Sequence, residues 1–322
     1  NSILKKKKVH LTLGSILDKK KLDNLIKIKF NYIYHLGHQR TAPYSMLDQK
    51  RCVETIHNNE IGFLNLIWSI KNYSKNTLLI KLGSFGAYAL SGIKIPEDDQ
   101  IITIKGKKLK TKTPFPKMAL DFYHITKAND ALFARAACIN WGLKIIDVQQ
   151  STVFGVMTDY ISLTKLYTRL DYDEIFGTVV NRFICQAIAN RPMTVYGGGN
   201  HSTGIMCLQD AIKYLSFIRN LKLKKGQYKN LNSNPYSFKI KELAKMTKNQ
   251  LMKVGIKSKL TDKYDPRYEK NGLKIINSAE CDLLKKNIKI SDVEKEIGET
   301  VKLVLKFKKN INISVLNPSH KW

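Results

Sequence analysis

The 322 residues contain no C-x-x-C pair. The five cysteines, Cys52, Cys138, Cys185, Cys207 and Cys281, are odd in number and far apart. A disulfide framework or cysteine zinc finger is excluded, and a reducing compartment fits. No apolar run approaches the ~20 residues that cross a bilayer. The longest, Ile61 to Ile70, is interrupted by Gly62, Asn65 and Ser69, so membrane insertion is not expected. Acidic residues are scarce, 26 against 55 Lys and Arg, leaving a net charge of +29. Such an excess suits nucleic acid. Here, however, the lysines cluster in solvated runs (Lys5 to Lys8, Lys19 to Lys21, Lys306 to Lys309), with no basic stripe interleaved with aromatics. The abundance of Lys, Asn and Ile reads as nucleotide bias, and no nucleic-acid partner is expected. His35-x-x-His38 has the look of a metal pair. With no Cys or carboxylate cluster beside it, a structural or substrate-loop role is preferred and no metal is expected. The first residue is Asn, so the chain is read as starting inside a longer protein.

With 43% hydrophobic residues, there is enough apolar material for one large or two modest cores. Val9–Leu13 reads as a strand, 18–29 as a helix, 32–36 as a strand and 46–73 as a long helical stretch. The strand 77–82 is continuously apolar, as in a parallel sheet covered on both faces. Residues 91–117, with Pro96, Pro114 and Pro116, read as loop, followed by a helix over 123–141 and a strand over 143–148. This alternation predicts an α/β, doubly wound parallel sheet. After about residue 156 the pattern changes: helix 177–190, strand 193–196, a turn at Gly197-Gly-Gly-Asn200, then helices 237–254 and 291–307. Residues 1–157 are therefore assigned to the sheet domain and 158–322 to a smaller mixed domain. Segments near 177–190 and 205–232 are expected to return to the sheet.

Tyr123 and Lys127 stand four apart, on one face of a helix. A cation beside a phenol favours phenolate, lowering a pKa of about 10. Ser84, in Lys81-Leu-Gly-Ser84, closes a strand and brings a hydroxyl. Ser, Tyr and Lys together form a proton-transfer set of the kind that serves hydride chemistry in short-chain dehydrogenases/reductases. Further segments add specificity: His35-Leu-Gly-His-Gln39-Arg40-Thr-Ala-Pro43-Tyr-Ser45-Met, His57-Asn58-Asn59-Glu-Ile-Gly62, Pro114-Phe-Pro-Lys117, Arg169-Leu-Asp-Tyr-Asp-Glu-Ile-Phe-Gly177 and Asn181-Arg182-Phe183. The series resembles the UDP-sulfoquinovose synthase family, extended short-chain dehydrogenases/reductases of the nucleotide-sugar epimerase/dehydratase type with a Rossmann-type sheet.

The resemblance implies NAD as cofactor, UDP-glucose and sulfite as substrates, a homodimer built on the helices near 46–73 and 123–141, and a plastid location. The implied chemistry is C4 oxidation, loss of water across C5 and C6, sulfite addition at C6 and return of hydride to C4. On this reading Tyr123 is the C4 base, Lys127 lowers its pKa and holds the nicotinamide ribose, and Ser84 binds the C4 hydroxyl. Asn59 takes the active-site Asn position and also the cofactor side. His124 and Gln150 lie at the sugar, Gln150 also near the cofactor. Gln39 and Arg40 face sugar and sulfite, and Arg182 and Arg267 lie near UDP. Leu36, Gly37 and Val153 contact the cofactor.

The chain departs from that family in five places. No G-x-x-G-x-x-G loop precedes Val9, so the first β-α-β unit is expected to be missing. Ser15 stands where an adenine-side Asp is usual, and Thr203 where an Arg meets the diphosphate. His38 and Ala87 each replace a Glu. Another UDP-sugar epimerase/dehydratase and a degenerate, non-catalytic nucleotide-sugar binder are the alternatives. Phe85-Gly86, where a dehydratase usually carries Asp-Glu, argues against the first.

Overall fold

The structure, a computed structural model, describes residues 9–89, 93–97, 101–110, 117–264 and 279–316. The first half runs α1 (Lys19–Ile26), β1 (Tyr32–His35), α2 (Ala42–Met46), α3 (Gln49–Ile56), α4 (Gly62–Tyr73), β2 (Leu78–Leu82), β3 (Ile101–Ile104), β4 (Lys107–Lys110), α5 (Phe122–Trp141) and β5 (Lys144–Gln150). Then come β6 (Thr152–Phe154), α6 (Asp159–Thr164), α7 (Val179–Ile188), β7 (Met193–Tyr196), β8 (Ser202–Cys207), α8 (Leu208–Ile218) and β9 (Tyr228–Ser233). The chain continues through β10 (Tyr236–Lys239), α9 (Ile240–Met252), β11 (Leu260–Lys263), α10 (Asp282–Asn287) and α11 (Val293–Lys306).

The central sheet is parallel, in the order β1-β2-β5-β9. Side chains alternate across it. Leu79 and Ile145 pack with Phe63, Ile67 and Ile70 of α4 and Ala134 and Cys138 of α5. Ile80, Ile146 and Val148 face the other way, against Ala211, Tyr214 and Ile218 of α8 and Leu284 of α10. Burial on both faces explains the continuous apolar run at 78–80. A third core joins α7, α9 and α11, with Phe183, Leu243 and Ile297 at its centre beside Met193 and Ile205. Three small sheets complete the strands: β10-β8-β6, β11-β7 and β3-β4.

Local chemistry sets the boundaries. Asp48 accepts from the Arg51 backbone N–H at 2.8 Å and restarts the expected 46–73 helix as α3. A π-helical turn, His57–Ile61, then separates α3 from α4. Asp121 caps α5, and Gly142, with φ 73°, ends it in the left-handed conformation. Two expectations fail. Val9–Leu13 is irregular and exposed, because it meets no neighbouring strand among the described residues, and a strand needs a ladder partner. Within 91–117, read as loop, β3 and β4 form a hairpin whose turn, Lys105-Gly106, carries φ 46° and 76°. Two positive φ values match the right-handed strand twist.

Candidate functional site

A cavity of about 670 Å³ opens at the carboxyl ends of β1, β2 and β5, where ligands bind in sheets of this kind. The loop after β1, the turn after β2, the first turns of α5 and the segment after β5 line one side of it. Glu174 to Arg182, Thr194, Tyr196 and Ser202 to Gly204 close the other. Of the expected residues, Leu36, Arg40, Ser84, Tyr123, His124, Lys127, Gln150, Val153 and Arg182 all line it.

Ser84 leaves β2 in extended conformation and accepts the Gly86 N–H at 3.3 Å. This aims the hydroxyl at the first turn of α5. There Asp121 accepts the backbone N–H of His124 at 2.9 Å, and its second oxygen lies 2.6 Å from His124 Nδ1. Burial would raise the Asp121 pKa, but the charge and hydrogen bonds of His124 outweigh it and hold the carboxylate below its usual range. Asp121 thus fixes His124 with Nδ1 protonated and Nε2 as its lone-pair nitrogen. The ring lies flat on Gly86, where a Cβ would fall 2.2 Å from Nε2.

Tyr123 differs from expectation. Burial, with Asp121 adding to it, pushes the phenol above its ordinary value, while hydrogen bonding by Ser84 and the Arg40 charge pull the other way. Lys127 does not offset the burial. Its Nζ lies 5.6 Å from the Tyr123 ring centroid and donates instead to Leu82 O at 2.8 Å and His38 Nδ1 at 2.5 Å. Burial draws the ammonium well below the usual lysine value, against the pull of Asp130. Asp130 is itself buried beside His38 Nε2, 3.5 Å away. Beneath these groups Lys81 and Asp147 pair at 2.9 Å, both fully buried.

Asn59 has a different geometry from a cavity-lining group. It is fully buried, and its Oδ1 accepts Gln39 N–H at 2.8 Å while Nδ2 donates to Gln39 O at 3.1 Å and Thr126 Oγ1 at 3.0 Å. Thr126 in turn donates to Tyr123 O at 2.7 Å. Asn59 therefore ties the 37–41 loop to the turn that carries Tyr123, and the π-helical turn sets it there. Gln39 folds back, its amide meeting Thr41 Oγ1 and N at 3.3 Å. Arg40 pairs with Asp171 at 2.7 Å and stacks over Phe176, its centre 5.1 Å from the ring. Gly37, unlike its neighbour Leu36, does not line the cavity and is exposed. Arg182 is buried over the Tyr196 ring, and Thr203 lines the wall nearby. At the other end, Ser15 Oγ accepts from Leu17 N. Arg267 and Pro114-Phe-Pro lie outside the described residues.

Sequence reasoning missed Asp121, although a carboxylate three residues before a histidine at a helix start is a cap signal. The two histidines, expected to have a structural or substrate-loop role, hydrogen-bond each other, Nε2 to Nε2, at 2.7 Å.

The residues fit the nicotinamide-ribose end of NAD: an ammonium, a phenol and a hydroxyl meet at the sheet end. At Gly83 a Cβ would strike Asp147 and Gln149 within 2.8 Å, so bare backbone borders the cavity. Among the described residues no glycine-rich helix start supplies a pyrophosphate cradle there. The Gly197–Gly199 turn stands apart, with Gly198 N donating to Asp262.

Over residues 1–232 the chain matches the NAD dependent epimerase/dehydratase family. It is 35% identical over 266 residues to the chloroplastic UDP-sulfoquinovose synthase of Spinacia oleracea, covering 82% of this chain and 55% of that protein. To the UDP-sulfoquinovose synthase of Sulfolobus acidocaldarius it is 33% identical over 247 residues, 77% of this chain and 63% of that one. The chain thus spans less than two thirds of the length of either relative. The fold is similar to that of the Thermotoga maritima UDP-glucose 4-epimerase solved with UDP-glucose, at TM-score 0.71, 18% identity and coverage of 94% and 86%. The Thermus thermophilus UDP-glucose 4-epimerase, solved with NAD, gives TM-score 0.66, 16% identity and coverage of 92% and 85%. With the cavity geometry, these likenesses settle the family: the chain belongs to the NAD dependent epimerase/dehydratases.

Proposed function

We propose that this chain carries the reaction of a UDP-sulfoquinovose synthase, converting UDP-glucose and sulfite to UDP-sulfoquinovose. One observation carries the reading: Ser84, Tyr123, His124 and Lys127 meet on one cavity that Arg182 also lines. NAD, when bound, supplies the acceptor and later the donor of the C4 hydride. Ser84 orients the C4 hydroxyl and Tyr123 takes its proton. Tyr123 does so as the phenolate and becomes the neutral phenol; the buried ammonium of Lys127, 5.6 Å from the ring centroid, favours that starting phenolate. Once C4 is a ketone the C5 proton is acidic. His124 Nε2, backed by Asp121, removes it and returns a proton to the departing C6 hydroxyl. Arg40 offers the incoming sulfite a planar cation, after exchanging Asp171 for the new oxyanion; as sulfur bonds to C6 the alkene pair shifts toward the C4 ketone, and the proton brought by bisulfite, passed through His124 Nε2, restores C5–H. Tyr123 finally reprotonates the C4 oxygen.

Incubation with UDP-glucose, NAD and sulfite, followed by mass spectrometry, tests this directly. UDP-sulfoquinovose is expected only when sulfite is present. A free 4-keto-6-deoxy sugar without sulfite incorporation would favour an ordinary dehydratase instead.

A homodimer fits the same reading. Ile125, Leu132 and Ile139 form an exposed stripe at seven-residue spacing on α5, beside exposed Trp68 on α4 and Val53 on α3. A plastid location belongs to the same reading, supported by the chloroplastic spinach relative. No helix among the described residues is long and apolar enough to cross a membrane.

A further inference from the structure

An ammonium has three N–H donors. Lys127 spends two of them, on Leu82 O at 2.8 Å and on His38 Nδ1 at 2.5 Å. An imidazole that accepts at Nδ1 carries its proton on Nε2. That atom lies 2.7 Å from His35 Nε2, so His35 presents a lone pair there and holds its own proton on Nδ1. The tautomers of both rings are thus fixed by the donor on Lys127. We propose that His38 is the positioning residue of Lys127, a neutral imidazole backed by His35 that holds the ammonium so that its third N–H faces the cavity.

Burial and the neighbouring cations favour a neutral ring, and Asp130, 3.5 Å from Nε2, is the one facing carboxylate that pulls the other way. From β1 comes His35, from β2 Lys81, from α4 the Phe63 ring, and from α5 both Lys127 and Asp130. Glu60 and Asp147 act on this group through Asp130, and Lys117 through Lys127. Three ammonium groups, Lys81, Lys117 and Lys127, face two buried carboxylates, Asp130 and Asp147. A protonated imidazole would add a fourth cation. Burial, and then Lys127, lower the pKa of both rings, His35 to about 3. His38 is 5% exposed, so water does not relieve that repulsion.

The inference rests on the proposed role of Lys127 in sugar oxidation, but its first test does not. In histidine-15N-labelled protein, long-range 1H–15N correlation should show His38 protonated on Nε2 and unchanged from about pH 5 to 7, a range that spans the free imidazole pKa while Lys127 holds its charge. An Nδ1–H tautomer, or titration near the free value, would overturn it whether or not the protein turns over UDP-glucose. The second test reads positioning. His38→Ala should lower kcat roughly tenfold to a hundredfold, the range for one charge-assisted hydrogen bond, with KM for UDP-glucose unchanged. His38→Asn, whose Oδ1 takes the place of Nδ1, should recover most of it. Equal losses in the two variants, at equal thermal stability, would refute the role.

Discussion

Replacing Gly86 with alanine should disable His124 without removing any group that reacts. The added Cβ would lie 2.2 Å from His124 Nε2, 2.6 Å from Cε1 and 2.9 Å from Cδ2. All three are far inside ordinary van der Waals contact, so the ring must swing away. Doing so breaks its 2.6 Å contact with Asp121. A hydrogen bond to a charged group is worth about 1.5–3 kcal/mol, and overpacking costs about 1–3 kcal/mol. If the ring relaxes into the open cavity, stability falls toward the low end. The catalytic loss then approaches that of His124→Ala, roughly a hundredfold to ten-thousandfold for a misplaced acid–base group. Steady-state UDP-sulfoquinovose formation and urea unfolding of Gly86→Ala, His124→Ala and the double variant make the assay. The double variant should be no less active than His124→Ala and more stable than Gly86→Ala, because the clash disappears with the ring. Full activity in Gly86→Ala, or additive losses in the double variant, would refute the packing argument.

Other outcomes follow from the same geometry. Tyr123→Phe should reduce turnover by roughly a hundredfold or more while leaving the melting temperature in place, as differential scanning calorimetry would show. Asn59→Ala removes the clamp on Gln39 and Thr126; it should lower stability by about 1–3 kcal/mol in urea titrations and raise KM through a loosened 37–41 loop. Lys81→Ala leaves Asp147 with Lys117, 3.7 Å away, as its remaining cation, and should cost about 3 kcal/mol or more. The pH dependence has a definite sign. Burial would raise the Asp147 pKa, but Lys81 and Lys117 lower it to about 2, below the unfolded value of 3.8. Its contribution is therefore present above that unfolded value and is lost as pH falls toward 2. Denaturant midpoints should drop across that window in the wild type and less steeply in Lys81→Met.

Much of this was legible from residue patterns because the patterns are local. The continuous apolar run Leu78–Ile80 signalled a strand covered on both faces. The Tyr123–Lys127 spacing placed two groups on one helix face, and Ser84 at a strand end brought the hydroxyl to them. What escaped depends on contacts distant in sequence. The phenol pKa was expected to fall, yet Lys127 turns to Leu82 and His38, neither visible from its own helix. Asn59 bonds across 20 residues to Gln39 and across 67 to Thr126, through a π-helical turn that no periodicity announces. Val9–Leu13 has a strand's composition without a ladder partner among the described residues, and composition alone does not make a strand.

The central claim is that hydride leaves C4 and returns to C4 around a sulfite addition at C6. UDP-glucose carrying deuterium at C4, incubated with NAD and sulfite, tests it most directly. The expected product is UDP-sulfoquinovose with deuterium still at C4, formed by the wild type and not by Tyr123→Phe. A sulfonated product without the label, or a labelled product without sulfite, would contradict the account.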